Sequence, residues 1–171
     1  IDASEIPLRI QNLPETTLPV TNNVNSYTFY DIHENESVNL VEGGQRWYGE
    51  QFDAALTLTF KFNVPNVDLN TPIETEYAVA SNSNSAGNSF RVVYNGIQVN
   101  NEPLNSTGSD YIRNAAGFTF NPVAPAIDLV FTLNRVSPSV KAYLDFIKIV
   151  GRRGLVFYGN SMLFRDVNSV G

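Results

Sequence analysis

From Leu56 to Val64 the chain alternates without a break: Leu56, Leu58, Phe60, Phe62 and Val64 are apolar, and Thr57, Thr59, Lys61 and Asn63 are polar. In an extended chain successive side chains point to opposite faces, so such a segment lays one face on a core and the other in water; a helix would scatter the same residues around its circumference. The pattern recurs. Ile73, Thr75, Tyr77 and Val79 alternate with Glu74, Glu76, Ala78 and Ala80. Phe90, Val92 and Tyr94 flank Arg91 and Val93, and Ile127, Leu129, Phe131 and Leu133 interleave with Asp128, Val130 and Thr132. Ala142–Val150 is nearly all apolar or β-branched and reads as a strand covered on both faces. Shorter strands are expected at Tyr27–Ile32, Gly117–Phe120, Leu155–Tyr158 and Met162–Phe164.

The punctuation agrees. Asn95-Gly96 lies between Phe90–Tyr94 and Ile97–Val99, and Asn and Gly best tolerate the positive φ that both central residues of a type I′ hairpin turn require. Pro65, Pro72, Pro103, Pro122, Pro125 and Pro138 fall between strands. Ser81–Ser89 reads as a loosely held polar loop, and Glu34–Val41 is open to a helical turn or two. Residues 1–25, with Pro7, Pro14, Pro19 and a strand-like Leu8–Ile10, read as an N-terminal arm, and 26–171 as one folded unit. The expected fold is all-β: an antiparallel two-sheet β-sandwich, a jelly roll of the galactose-binding-like kind. At 171 residues the chain is long enough to bury a full core without staples. It opens on Ile1 rather than Met, which reads as a processed product or a piece of a longer protein.

Composition removes several chemistries. There is no cysteine, hence no disulfide, no thiolate metal site and no thiol nucleophile, and a single histidine excludes His-pair metal sites. A net charge of −6 disfavours nucleic acid as the main partner. No apolar run is long enough to cross a bilayer as a helix, so no membrane insertion is expected.

Five groups of residues are candidates for a site. His33 sits among Asp31, Glu34 and Glu36 and reads as a solvated histidine at a strand end, since one imidazole is a poor ligand set. Glu74 and Glu76 share a strand face, as a glycosidase pair would, but simple alternation already explains them as a solvent face. Asp145 interrupts an apolar strand, and a buried carboxylate must be paired or hydrogen-bonded; Arg152 or Arg153, read as lying in a turn after Gly151, or a structural calcium, would serve. Gln45–Phe52 (QRWYGEQF) carries the sole Trp, and Arg46, Trp47 and Tyr48 are the expected contact with a partner or a neighbouring domain. Asn35-Glu36-Ser37 and Asn105-Ser106-Thr107 fit the glycosylation sequon.

Taken in order, Tyr27–Tyr30, Glu36-Ser37-Val38-Asn39-Leu40, Gly44-Gln45-Arg46-Trp47-Tyr48-Gly49-Glu50-Gln51-Phe52-Asp53, Leu56–Val64 into Pro65-Asn66, the Ala80-Ser81 loop, Phe90–Val93 into Tyr94-Asn95-Gly96, Ala142-Tyr143-Leu144-Asp145-Phe146-Ile147, Arg152-Arg153-Gly154-Leu155 and Met162-Leu163-Phe164-Arg165 are similar to a known pattern. They resemble the β-rich region that precedes the peptidase domain in PorU-like sortases of the type IX secretion system of Bacteroidetes, a family related to the gingipain cysteine peptidases. The resemblance runs from about Tyr27 to Arg165. It implies a cell-surface, outer-membrane parent that removes the C-terminal signal domain of secreted cargo through a Cys–His pair. The chain departs from that chemistry, having no cysteine to occupy the catalytic position.

The expected role is therefore a non-catalytic accessory domain that supports or orients a downstream peptidase domain and contacts secretion-system subunits or cargo. The competing expectation is a carbohydrate-binding jelly roll in which Trp47, Tyr48 or Tyr94 stacks on a glycan and Asp145 lies near calcium; the inward parity of Tyr94 weighs against it.

Overall fold

A computed structural model describes residues 23–40, 44–105 and 110–157. Nine strands and no helix occur among them: β1 (Ser26–Glu34), β2 (Gln51–Phe52), β3 (Thr57–Asn63), β4 (Ile73–Ser81), β5 (Ser89–Tyr94), β6 (Ile97–Pro103), β7 (Ile112–Phe120), β8 (Ala126–Asn134) and β9 (Ala142–Gly154). All strand pairs are antiparallel. One sheet runs β1-β9-β4-β7, with β2 also on β9; the other runs β3-β8-β5-β6. Leaving aside β2, successive strands trade sheets except at the β5–β6 hairpin, which is the order of a jelly roll, as expected. The arm with Leu8–Ile10 and the strand Met162–Phe164 lie outside the described residues.

The alternation sets the core. Phe60, Phe62, Ile73, Tyr77, Val79, Phe90, Val92, Ile127, Leu129, Phe131, Ile147 and Ile149 fill the space between the sheets, all buried. Rings meet edge-on across it: Tyr77 with Phe131 at 5.1 Å, Phe60 with Phe131 at 5.5 Å and Phe52 with Phe90 at 4.8 Å, the geometry that ring quadrupoles favour. The Asn95-Gly96 hairpin forms as expected, with φ of 47° and 77°.

Four expectations change. Of the expected turn at Glu34–Val41, the described part, Glu34–Leu40, makes no helical turn: Glu34 closes β1, and Val38 pairs with Tyr48 as an isolated antiparallel bridge; Val41 lies outside the described residues. Ser81–Ser89 is firmly bound, because the Asn82 amide oxygen accepts from Lys141 N (2.7 Å), the Asn88 amide oxygen accepts from Val136 N (2.8 Å), and Asn88 Nδ2 donates to Ser85 O and Ser83 Oγ. Arg152 and Arg153 lie within β9, opposite Thr28 and Tyr27, not in a turn. Gly151 reflects a close approach rather than a bend, since a Cβ there would stand 2.9 Å from Phe29 Cε1. Finally, the ladder stops at Gly154, so Leu155–Phe157 is not a strand.

Candidate functional site

The site is built around an irregularity in β9. On β4, Ala78 pairs with Phe146 and Val79 with Leu144, so Asp145 is an extra residue, a bulge. Inward parity shifts across it: Ala142 and Leu144 face the core before it, Ile147, Ile149 and Gly151 after it. The opposite edge of β9 changes partner at the same place. β1 leaves at Glu34, opposite Phe146, and β2 begins at Gln51, opposite Tyr143. Between them Gly49 N donates to Leu144 O (2.7 Å) and Leu144 N donates to Glu50 O (2.9 Å), which carries the chain from Tyr48 onto the sheet. Gly49 is required there, as a Cβ would stand 2.7 Å from Asn35 O.

The segment between β1 and β2 folds back on itself. Tyr48 N donates to Val38 O (2.8 Å), Tyr48 O accepts from both Ser37 N and Val38 N (2.9 Å each), and Asn39 Nδ2 donates to Gly44 O (2.7 Å). The result is an open cleft of about 520 Å³. Glu34 and Glu36 form one wall, Gln45 to Tyr48 the other, and Asp145 lies at its base. The Trp-Tyr-Gly-Glu phrase and the Tyr-Leu-Asp-Phe phrase, nearly a hundred residues apart in sequence, thus meet at one place.

The structure sorts the expected residues. Arg46, Trp47, Tyr48 and Asp145 come together. Trp47 is 46% exposed and offers its indole to the cleft, whereas Tyr48 is buried and acts as a packing residue. Asp145, buried, is paired not with Arg152 or Arg153 but with Arg113 of β7, whose Nε stands 2.6 Å from Oδ2 while its guanidinium lies over the Phe146 ring at 5.7 Å. The side chains of Arg152 and Arg153 belong to the β1 side: Arg152 donates to Ser26 O, Ser26 Oγ and Thr28 Oγ1, and the Arg153 guanidinium lies 5.6 Å from the Tyr27 ring. Their distance from Asp145 follows from register, since they sit at the far end of β9.

His33 is half-buried rather than solvated. Its Nε2 is 2.9 Å from Glu50 Oε1 and its ring packs on Phe60 at 4.9 Å, which places it between the two sheets. Glu74 and Glu76 are exposed on the outer face, and Glu76 pairs with Lys148, so they form no enclosed carboxylate pair. Tyr94 faces inward, packs on Phe120 at 4.3 Å, and its hydroxyl accepts from Val123 N. The groove near it, about 480 Å³, is lined by Ile97, Val99, Phe120 and Val123 with Asn95 and Asn121, and has no charged side chain. No group of three His, Asp or Glu suited to a metal ion occurs among the described residues.

Sequence patterning gives no sign of Arg113, and it offers Glu34 and Glu36 only as neighbours of His33, not of Trp47 and Asp145. The break in parity at Asp145-Phe146 was the available signal for the bulge. No local pattern links Asp145 to Arg113, 32 residues away on a strand that is not its neighbour.

No protein-family description and no curated protein matches the chain by sequence. Among solved structures it is similar to dimeric latent PorU from Porphyromonas gingivalis, with a TM-score of 0.68 and 23% identity over 84% of this chain. It is more distantly similar to the carbohydrate-binding module CBM36 solved with calcium and xylotriose (TM-score 0.43, 15% identity, 71% of this chain and 98% of the module) and to a family 35 carbohydrate-binding module from Clostridium thermocellum (0.43, 14%, 72% and 90%). The chain spans 14% of the PorU chain, and what it shares with that protein is the fold of one domain.

Proposed function

We propose that the chain is a non-catalytic accessory domain of a PorU-like, gingipain-related sortase of the type IX secretion system. In this reading it lies at the cell surface, supports or orients a downstream peptidase domain, and makes a protein contact through the Trp47 cleft. The observation that carries the reading is a convergence. Two of the phrases that resemble the sortase family both line a single cleft, in a chain whose fold agrees with a PorU domain over most of its length. The absence of cysteine supports a role other than catalysis for this piece.

A carbohydrate-binding role is the second reading, favoured by one exposed ring beside planar polar groups in the cleft. It keeps Trp47 alone, because Tyr48 and Tyr94 are buried, and Asp145 already has a partner in Arg113.

Two measurements separate these readings. A photo-reactive residue at position 47 of the parent protein in its native cell is expected to cross-link to a peptidase domain in the same chain or to a secretion-system subunit, identified by mass spectrometry. Saturable glycan binding by the purified chain, lost in Trp47→Ala, together with no protein cross-link, would replace the first reading with the second. Peptide hydrolysis by the homogeneous chain would remove both.

A further inference from the structure

We propose that the Trp47 cleft receives a cationic side chain, arginine in preference to lysine, presented by an extended polypeptide. The inference deepens the reading of the cleft as a protein contact and rests on it. It starts from an arrangement that the fold already uses. Asp145, at the base of the cleft, holds the Arg113 guanidinium at 2.6 Å while that guanidinium lies over the Phe146 ring. A carboxylate beside an aromatic face suits a planar, weakly hydrated cation that both donates hydrogen bonds and stacks. The cleft beside Asp145 gathers these ingredients again: Glu34, Glu36 and the exposed Trp47 line it, together with one guanidinium of the chain, that of the exposed Arg46.

Charge complementarity points the same way. Three carboxylates line the cleft, those of Glu34, Glu36 and Asp145, against the single cation Arg46. Arg113 neutralises Asp145, which leaves Glu34 and Glu36 to set the sign against Arg46. Arg46 and Glu36 are exposed, so Arg46 is free to turn outward when another cation enters. A neutral sugar would gain nothing from the carboxylates beyond hydrogen bonds, and an anion would meet two like charges.

The test uses Trp47 itself, the sole tryptophan of the chain, as the probe. The whole chain is titrated at low salt with acetyl-Gly-Arg-Gly-amide and with its lysine and citrulline counterparts, and indole fluorescence is followed. The expected result is a saturable change, tightest for arginine, with citrulline weaker by about tenfold or more because it keeps the shape and loses the charge. Added salt weakens binding. Replacing both wall carboxylates (Glu34→Gln with Glu36→Gln) costs about tenfold in affinity, whereas Arg46→Ala strengthens binding several-fold by removing a like charge. Circular dichroism of each variant checks that the sandwich is intact. Equal binding of arginine and citrulline, weaker binding in Arg46→Ala, or no saturable response would overturn the proposal. A flat titration alongside a retained protein cross-link from position 47 would remove the cation and leave the protein contact standing.

Discussion

Arg113 Nε stands 2.6 Å from Asp145 Oδ2 although β4 runs between their strands. Ala78 and Ala80 on that intervening strand make the span available. Both point to the outer face, and both are buried, at 0% and 1% exposure, beside the Arg113, Asp145 and Phe146 cluster. A larger residue at either position would stand in the path of the guanidinium. Breaking a fully buried pair costs about 3–5 kcal/mol, and with the Arg113 side chain one-third exposed the expected loss for Arg113→Ala is about 2 kcal/mol. Urea unfolding of Arg113→Ala, Asp145→Asn and the double variant is expected to give a coupling close to the single losses. Additive losses would mean that the pair does not act as a unit.

Trp47 and Tyr48, adjacent in sequence, are expected to separate in their effects. Tyr48 is 9% exposed and anchors the fold-back segment, so Tyr48→Ala is expected to cost about 2–3 kcal/mol. Trp47, at 46% exposure, is expected to change stability by about 0.5 kcal/mol or less while abolishing whatever the cleft binds. Unfolding followed by far-ultraviolet circular dichroism measures both variants on one scale, without relying on the indole that one of them lacks.

Gly49→Ala places a methyl 2.7 Å from Asn35 O and 3.0 Å from Asn35 Cβ. Neither atom is the tip of a flexible side chain, so the backbone must give. The expected loss is about 1–3 kcal/mol. Amide exchange should rise at Gly49 and Leu144, whose N–H groups close this junction, more than in the distant β5–β6 hairpin.

Asp53 accepts hydrogen bonds from Lys141 and Arg135, which hold its carboxyl below its ordinary value of 3.8. A depressed acid contributes stability that is present above its unfolded pKa and is lost as pH falls through its folded one. The wild-type chain is therefore expected to lose stability below about pH 4, and Asp53→Asn to flatten that acid limb. The alkaline side has the opposite sign. Burial, and then the neighbouring Tyr143, push the Tyr111 phenol up to about 12, so it favours the folded state below pH 10 and that contribution fades between pH 10 and 12. Tyr111→Phe is expected to lessen the alkaline loss in melting curves across that range.

Much of the sandwich was readable because each strand with one wet face carries its own alternation. Leu56–Val64 and Ile127–Leu133 needed no partner to declare which side was buried. The hairpin was readable because Asn95-Gly96 meets a requirement of two consecutive backbone dihedrals. What stayed hidden depended on residues brought together by the sheet. Gly151 resembles a turn in sequence, and only the nearness of Phe29 and Ile73 makes it a strand residue that must lack a side chain. By sequence Arg152 and Arg153 therefore read as loop residues within reach of Asp145, while the partner of Asp145 in the fold lies beyond another strand. Ser81–Ser89 has the composition of a slack loop, but its asparagines are fastened to the backbone at Val136 and Lys141, which no local pattern encodes. At the candidate site, Trp47 and Asp145 stood out singly; that they share a cleft with Glu34 and Glu36 depends on where β1 hands over to β2.

Ser26 and Gly154 face each other at one end of the β1–β9 ladder. A pull applied through both strands from that corner would open the ladder as a zipper, loading one pair of backbone bonds at a time, instead of shearing the whole row together. Single-molecule extension from these two points should therefore meet little resistance, while traction directed along opposite ends of β9 and β4 would engage their entire pairing at once.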